Sequence, residues 1–207
     1  MTDKQNLRTV SDGGKIFPVK NLFSRNPLLS LGLAVSPAVL YADTAENGAV
    51  LAVMITVLSF LSLMISSFIP RRIVFTSRVI LYTLISALMF VPIYILFCEK
   101  FPEKASSMGI IAPLLITNPF IVSLSEHRFF KKTKGKMAVD IITSLLGYDI
   151  AVLVFAFIRE LFSTGGIGGR LYGIGHTYPG LAFPFGGFIL IGVLAAFIRG
   201  ISDRPQK

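Results

Sequence analysis

The chain has 207 residues, 53% of them hydrophobic and only 15% charged, with a net charge of +9. Soluble domains carry about 25% charged residues, so this composition, with a mean hydropathy of +0.72, excludes a soluble globular domain and indicates an integral membrane protein. One cysteine excludes a disulfide framework and any metal-binding cysteine pair.

Residues 1–21 open a short polar, basic, cytoplasmic arm. The stretch MTDKQNLRTVSDGGKIFPVKNLFSRN lacks the early apolar core and small-residue cleavage site of a signal peptide. Six apolar stretches follow, predicted at 22–42, 48–69, 75–97, 106–126, 138–162 and 180–200. Each is near the roughly 20 residues that a spanning helix needs. Barrel strands would be about 10 residues long with alternating polarity. The predicted fold class is an all-α integral membrane domain of six transmembrane helices over 22–200, ended by a cytoplasmic tail at 201–207.

The first span contains Asn26-Pro27, then Gly32 and Pro37. The fourth, GIIAPLLITNPFIVSLSE, is interrupted by Pro113, Asn118 and Pro119. Proline deletes a backbone donor and clashes with the preceding turn. In lipid, a broken helix survives only where protein or a cavity satisfies the freed groups. These segments are therefore expected to line a functional centre, a tolerated kink being the plainer reading. Ala34 is the thirteenth residue of span one and Pro119 the fourteenth of span four. Spans one and four run in opposite directions, so the two breaks are expected to meet near the midplane. The expected architecture is two inverted three-helix repeats with helices 1 and 4 interrupted.

Lysine and arginine set the expected orientation. Five occur from Lys4 to Arg25, three at Arg71, Arg72 and Arg78, five from Arg128 to Lys136, and three in the tail. The alternate connections hold only four: Lys100, Lys104, Arg159 and Arg170. The positive-inside rule then places both termini and the 127–136 loop in the cytoplasm. The positive charge is scattered over separate loops, so it indicates topology and a bilayer partner and speaks against nucleic-acid binding.

Asp149 lies near the middle of span five, where a carboxylate costs about 2.5–3.5 kcal/mol on insertion scales. It must face protein, water or a partner. Two readings stand: a proton or Na⁺ site, or a protonated side chain bonded to a neighbouring helix. Tyr148 is the other ion-path candidate, although sequence neighbours on a helix point apart. Asp140 and Glu126 are expected to cap helix ends or pair with the basic loop. Arg159-Glu160 is expected to close span five at the outer surface. The seven glycines from Gly165 to Gly180 match no phosphate-binding spacing and suit a tight re-entrant turn or a subunit contact. His127 and His176, on opposite sides, cannot share a metal and are expected at the surface.

With these residues in hand, the chain resembles the membrane subunits common to Rnf and Na⁺-translocating Nqr redox complexes over roughly 24–200. The likeness rests on Arg25-Asn26-Pro27, Leu31-Gly32-Leu33, the run PLLITN from Pro113 to Asn118, and Glu126. It continues with Asp140 nineteen residues before Arg159-Glu160, Gly147 between them, and Ser163-Thr164-Gly165. The longer basic arm makes it most similar to the Rnf E and Nqr D arm. The resemblance implies the same broken-helix fold, a bacterial-type inner membrane, and as partners a second six-helix subunit and flavin-bearing subunits.

It also implies a cysteine after the Leu-Gly-Leu element and another after the asparagine of span four. Two such subunits would supply four thiolates to a [2Fe–2S] cluster. Ala34 and Pro119 occupy those positions here. The chain is therefore expected to bind no cofactor alone, with FMN or Fe–S centres on its partners. Three functions follow: a cysteine-less subunit of an Rnf- or Nqr-like ion-translocating electron-transport complex; a component of a divergent complex that moves electrons through flavins; or a non-redox inverted-repeat transporter with Asp149 as its coupling group, moving H⁺ or Na⁺. No nucleophile–base pair or cofactor motif indicates a catalyst acting alone.

Overall fold

The computed structural model describes residues 34–70, 72–117, 119–127, 134–168, 170–171 and 177–202. In chain order these form α1 (Val35–Tyr41), α2 (Ala45–Ser66), α3 (Phe75–Lys100), α4 (Pro102–Met108), α5 (Ile111–Leu114), α6 (Pro119–His127) and α7 (Lys134–Thr164). A hairpin of β1 (Gly166–Ile167) and β2 (Arg170–Leu171) follows, then a 3₁₀ turn (Pro179–Ala182) and α8 (Pro184–Ser202). The basic arm, the first part of span one with Gly32, Asn118, the 128–133 loop and His176 lie outside the described residues, as do the side chains of Glu126 and His127.

Among the described residues, three helices are long and apolar enough to cross a membrane: α2, α3 and Met137–Thr164 of α7. The predicted boundaries shift by a few residues. Span two begins at Ala45 because Thr44 caps it, its hydroxyl accepting from Asn47 N at 3.2 Å. The sixth apolar stretch becomes helical at Pro184, residues 180–182 belonging to the 3₁₀ turn, and its apolar part, Pro184–Phe197, is shorter than the three long helices.

The fourth apolar stretch is broken twice, between Leu114 and Pro119, where the sequence puts the break, and again at Gly109. Gly109 adopts φ 44°, ψ −124°, outside the range open to other residues, and ends α4. Pro113 sits inside the single turn of α5, and Pro119 is the first residue of α6. Pro102, Pro179 and Pro184 likewise open their elements, where the missing N–H is not needed. Pro92 lies within the unbroken α3. Of the eight prolines among the described residues, four open an element and three lie inside a helix.

The core is the antiparallel seam of α2 and α7, wrapped by α3, α6 and α1. Leu51, Ile55, Leu58, Val152 and Phe155 are buried there. The helices approach closely because Gly48 lies against Ala156, whose Cβ would stand 2.6 Å from an added methyl. Small residues permit such contact where lipid supplies no hydrophobic force. Gly48→Ala is therefore expected to destabilise the fold by about 1–3 kcal/mol, the scale of overpacking. Thermal unfolding of the purified protein measures it, and adding Ala156→Gly should restore part of the loss.

Candidate functional site

Two charged neighbours near the end of α7 hold the surrounding elements together. The sequence pattern places Arg159 at the outer surface; it is instead 1% exposed. Its guanidinium presents N–H donors in a fixed fork. Nη1 donates to Val39 O at 2.6 Å and Ala42 O at 3.2 Å, Nε to Leu181 O and Nη2 to Ala182 O, both at 2.8 Å. The first two carbonyls end α1, which has no further turn to take them. The other two belong to the 3₁₀ turn. Gly187 of α8 makes room, since a Cβ there would meet the guanidinium carbon at 3.2 Å.

Glu160 is also buried, correcting the same expectation. One carboxylate oxygen accepts from Ala45 N at 2.7 Å, the other from Gly168 N at 2.7 Å. The first is the N-terminus of α2, where negative charge is favoured. The second is the tight turn of the glycine-rich hairpin, where Gly168 takes φ 58°. Arginine at a helix C-terminus and glutamate at a helix N-terminus thus each meet the matching end of a dipole.

Ala34, which precedes α1 in the first apolar stretch, is a non-glycine residue at φ 55°, ψ 32°. This left-handed conformation costs about 1–2 kcal/mol for an L-residue. The Tyr148 hydroxyl donates to Ala34 O at 3.1 Å, and both residues are buried. Pro37 is buried inside α1, which packs against α5 of the fourth stretch. Tyr148 therefore serves the turn at Ala34.

Asp149 points elsewhere, as adjacent helical residues must. Its Oδ2 accepts from the Thr56 hydroxyl at 2.6 Å, across the α2–α7 seam. Its Oδ1 is buried and has no hydrogen-bond partner among the described residues. Asp140 lies in the second turn of α7, beyond a capping position, so it does not cap that helix.

The Rnf-Nqr family, described as "Rnf-Nqr subunit, membrane protein", matches residues 15–198. This chain belongs to that family. Among relatives, the E component of the proton-translocating ferredoxin:NAD(+) oxidoreductase complex of Clostridium ljungdahlii is 26% identical, over 91% of this chain and 89% of its own length. The D component of the Na(+)-translocating NADH-quinone reductase of Pseudoalteromonas atlantica is 30% identical, over 90% of this chain and 91% of its own. The D component of the same reductase from Shewanella sp. is 28% identical over 100% and 98%. These relatives are subunits of multi-subunit, ion-translocating oxidoreductase complexes.

The residues present at the two expected breaks do not fit a cluster held by thiolates. Ala34 and Pro119 carry no metal-binding atom, and Cys98, the one thiol of the chain, stands on α3 near its end. Of the sites anticipated from sequence, Asp149, Tyr148, Ala34 and Pro37 are located within the core or its seam. Pro119 opens α6. Sequence reasoning misses the clamp of Arg159 and Glu160; its one signal there is a charged pair still inside an apolar helix. Arg159→Lys removes the fork that spans separate carbonyl groups. Each carbonyl left without a donor costs about 1–3 kcal/mol, so this variant is expected to lose thermal stability and yield of assembled complex, with Glu160→Gln milder than Glu160→Ala.

Proposed function

We propose that this chain is a membrane subunit of an Rnf/Nqr-type ion-translocating electron-transport complex, and that its own contribution is an ion path at Asp149, with no [2Fe–2S] cluster held by its residues. The observation that carries the reading is the Asp149 carboxylate. It is set between two apolar helices, with one oxygen on Thr56 and the other buried and, among the described residues, unpaired. Ionisable groups at such positions mark ion or proton routes by default. A hydroxyl and a carboxylate are both hard oxygen ligands, suited to Na⁺ or to a relayed proton.

Two inverted three-helix repeats, six spans in all, form the proposed scaffold. The interrupted stretch 102–127, the left-handed start at Ala34 and the packing of α1 on α5 support it. Lysine and arginine distribution supports cytoplasmic termini in a bacterial-type inner membrane. The broken-helix centre comprises Gly32, Ala34, Pro37, Asn118 and Pro119. The proposed partners are a second six-helix subunit and flavin-bearing subunits, with FMN and Fe–S centres on those chains. The relatives named above, all parts of larger complexes, support this assembly.

Asp149→Asn tests the reading in the assembled complex reconstituted in vesicles. Electron transfer should persist while ion uptake is lost; unchanged uptake rejects Asp149 as the ion group. A hydrogen bond to a charged group is worth about 1.5–3 kcal/mol. Thr56→Val should accordingly raise the ion concentration for half-maximal uptake about tenfold or more. Ion flux by the isolated chain, with no redox partner, would instead favour a stand-alone transporter.

A further inference from the structure

Besides Asp149 Oδ1, four buried hydroxyls have no hydrogen-bond partner among the described residues: those of Ser62, Ser66, Ser86 and Ser125. All four residues are at most 2% exposed. Serine and threonine in apolar helices commonly turn the hydroxyl back onto the carbonyl one turn earlier. Thr83 and Thr143 do so, onto Val79 O and Val139 O. The four serines do not. Buried donors and acceptors are ordinarily satisfied, so four in one small bundle, beside an unpaired carboxylate oxygen, call for a common explanation.

In height along the bundle axis, their positions form a column. Ser62 and Ser66 lie one turn apart on the buried stripe of α2. The helices α2 and α3 are packed antiparallel about the 67–74 connection. Thr56 is ten residues from the end of α2 and Ser86 eleven from the start of α3. At a rise of about 1.5 Å per residue, Ser86 is therefore level with Thr56, which is bonded to Asp149. From there Ser62 is about 9 Å and Ser66 about 15 Å nearer the 67–74 connection. Ser125 stands in the last turn of α6, which packs on both α2 and α3. The column thus covers about half of the roughly 30 Å hydrocarbon thickness.

On the other side of Asp149 the seam is lined by closely packed apolar side chains. Leu51, Ala52, Ile55, Val152 and Phe155 are buried there, and Gly48 meets Ala156. Leu58, Leu63, Ile141 and Leu145 are buried on the serine side too, so what distinguishes that side is its unpaired hydroxyls, none of which, among the described residues, lies toward Gly48.

We propose that Ser62, Ser66, Ser86 and Ser125 line a one-sided aqueous path through which a monovalent cation reaches Asp149 from the end of the bundle that bears the 67–74 connection. The inference rests on Asp149 as the ion-binding group. A hydroxyl both donates and accepts, so the column can hold a file of water or give oxygen ligands to a passing cation, and its single charged terminus is a carboxylate.

The test uses the assembled complex in vesicles of each orientation, with Cys98→Ser as background. Ser62→Cys and Ser66→Cys are treated with a membrane-impermeant cationic methanethiosulfonate, with Leu61→Cys and Ile65→Cys as controls. Leu61 and Ile65 are the outward-facing neighbours on the same helix. Only a hydrated thiol ionises and reacts readily, so the serine positions should label about tenfold or more faster than the controls. Labelling is expected from one side only, that of Arg71 and Arg72. Slowing by added Na⁺ at constant pH identifies Na⁺ as the cation; labelling insensitive to Na⁺, with Asp149-dependent uptake that follows an imposed pH gradient, identifies the proton. Equal, slow labelling at all four positions overturns the path. If Asp149→Asn abolishes uptake in the same preparation while Ser62→Cys stays unlabelled, the path falls and the role of Asp149 stands.

Discussion

The buried guanidinium of Arg159 is the interaction on which this architecture depends. A short helix such as α1 ends in carbonyls with no successor turn. In a bundle surrounded by lipid, water cannot take them. Arg159 takes two at the end of α1 and two from the 3₁₀ turn with one rigid group. An arginine without those carbonyls would be a buried cation of high cost, and the carbonyls without the arginine would be orphaned acceptors. Each stabilises the other, so α1, α7 and α8 are fixed as a unit. Glu160, one residue on, performs the complementary task for the N-terminus of α2 and the glycine hairpin.

That knot explains how α7 can carry two different buried polar residues in succession. With its end fixed by Arg159, the helix has a set rotation. Tyr148 then faces the left-handed turn at Ala34 while Asp149 faces Thr56 on α2. One hydroxyl supports the strained backbone at Ala34; the adjacent carboxylate is directed into a separate seam. The separation follows from the roughly 100° between successive residues of a 3.6-residue turn.

Within the α2–α7 seam, the two ends are built from different chemistry. Toward the Arg159 knot the contact is glycine on alanine with large apolar side chains around it. Toward the 67–74 connection it is bordered by hydroxyls. Among the described residues, no unpaired hydroxyl lies on the Gly48 side of Asp149.

Composition and hydropathy alone determined the membrane class, the three long helices and the interruption of the fourth apolar stretch, because a lipid environment demands continuous apolar runs and makes every proline conspicuous. Asp149 was legible for the same reason: a carboxyl in a run such as LLGYDIAVLVF has no local partner. The break ahead of Pro119 was legible in the sequence; the second break, at Gly109, depended on backbone dihedrals, which proline position does not report, since Pro92 lies in an unbroken helix. Only the tertiary structure decided the burial of Arg159 and Glu160. Their partners at Val39, Ala42 and Ala45 are more than a hundred residues away in sequence, and a charge at the end of an apolar helix reads as a surface residue until the carbonyls and amides that surround it are in place.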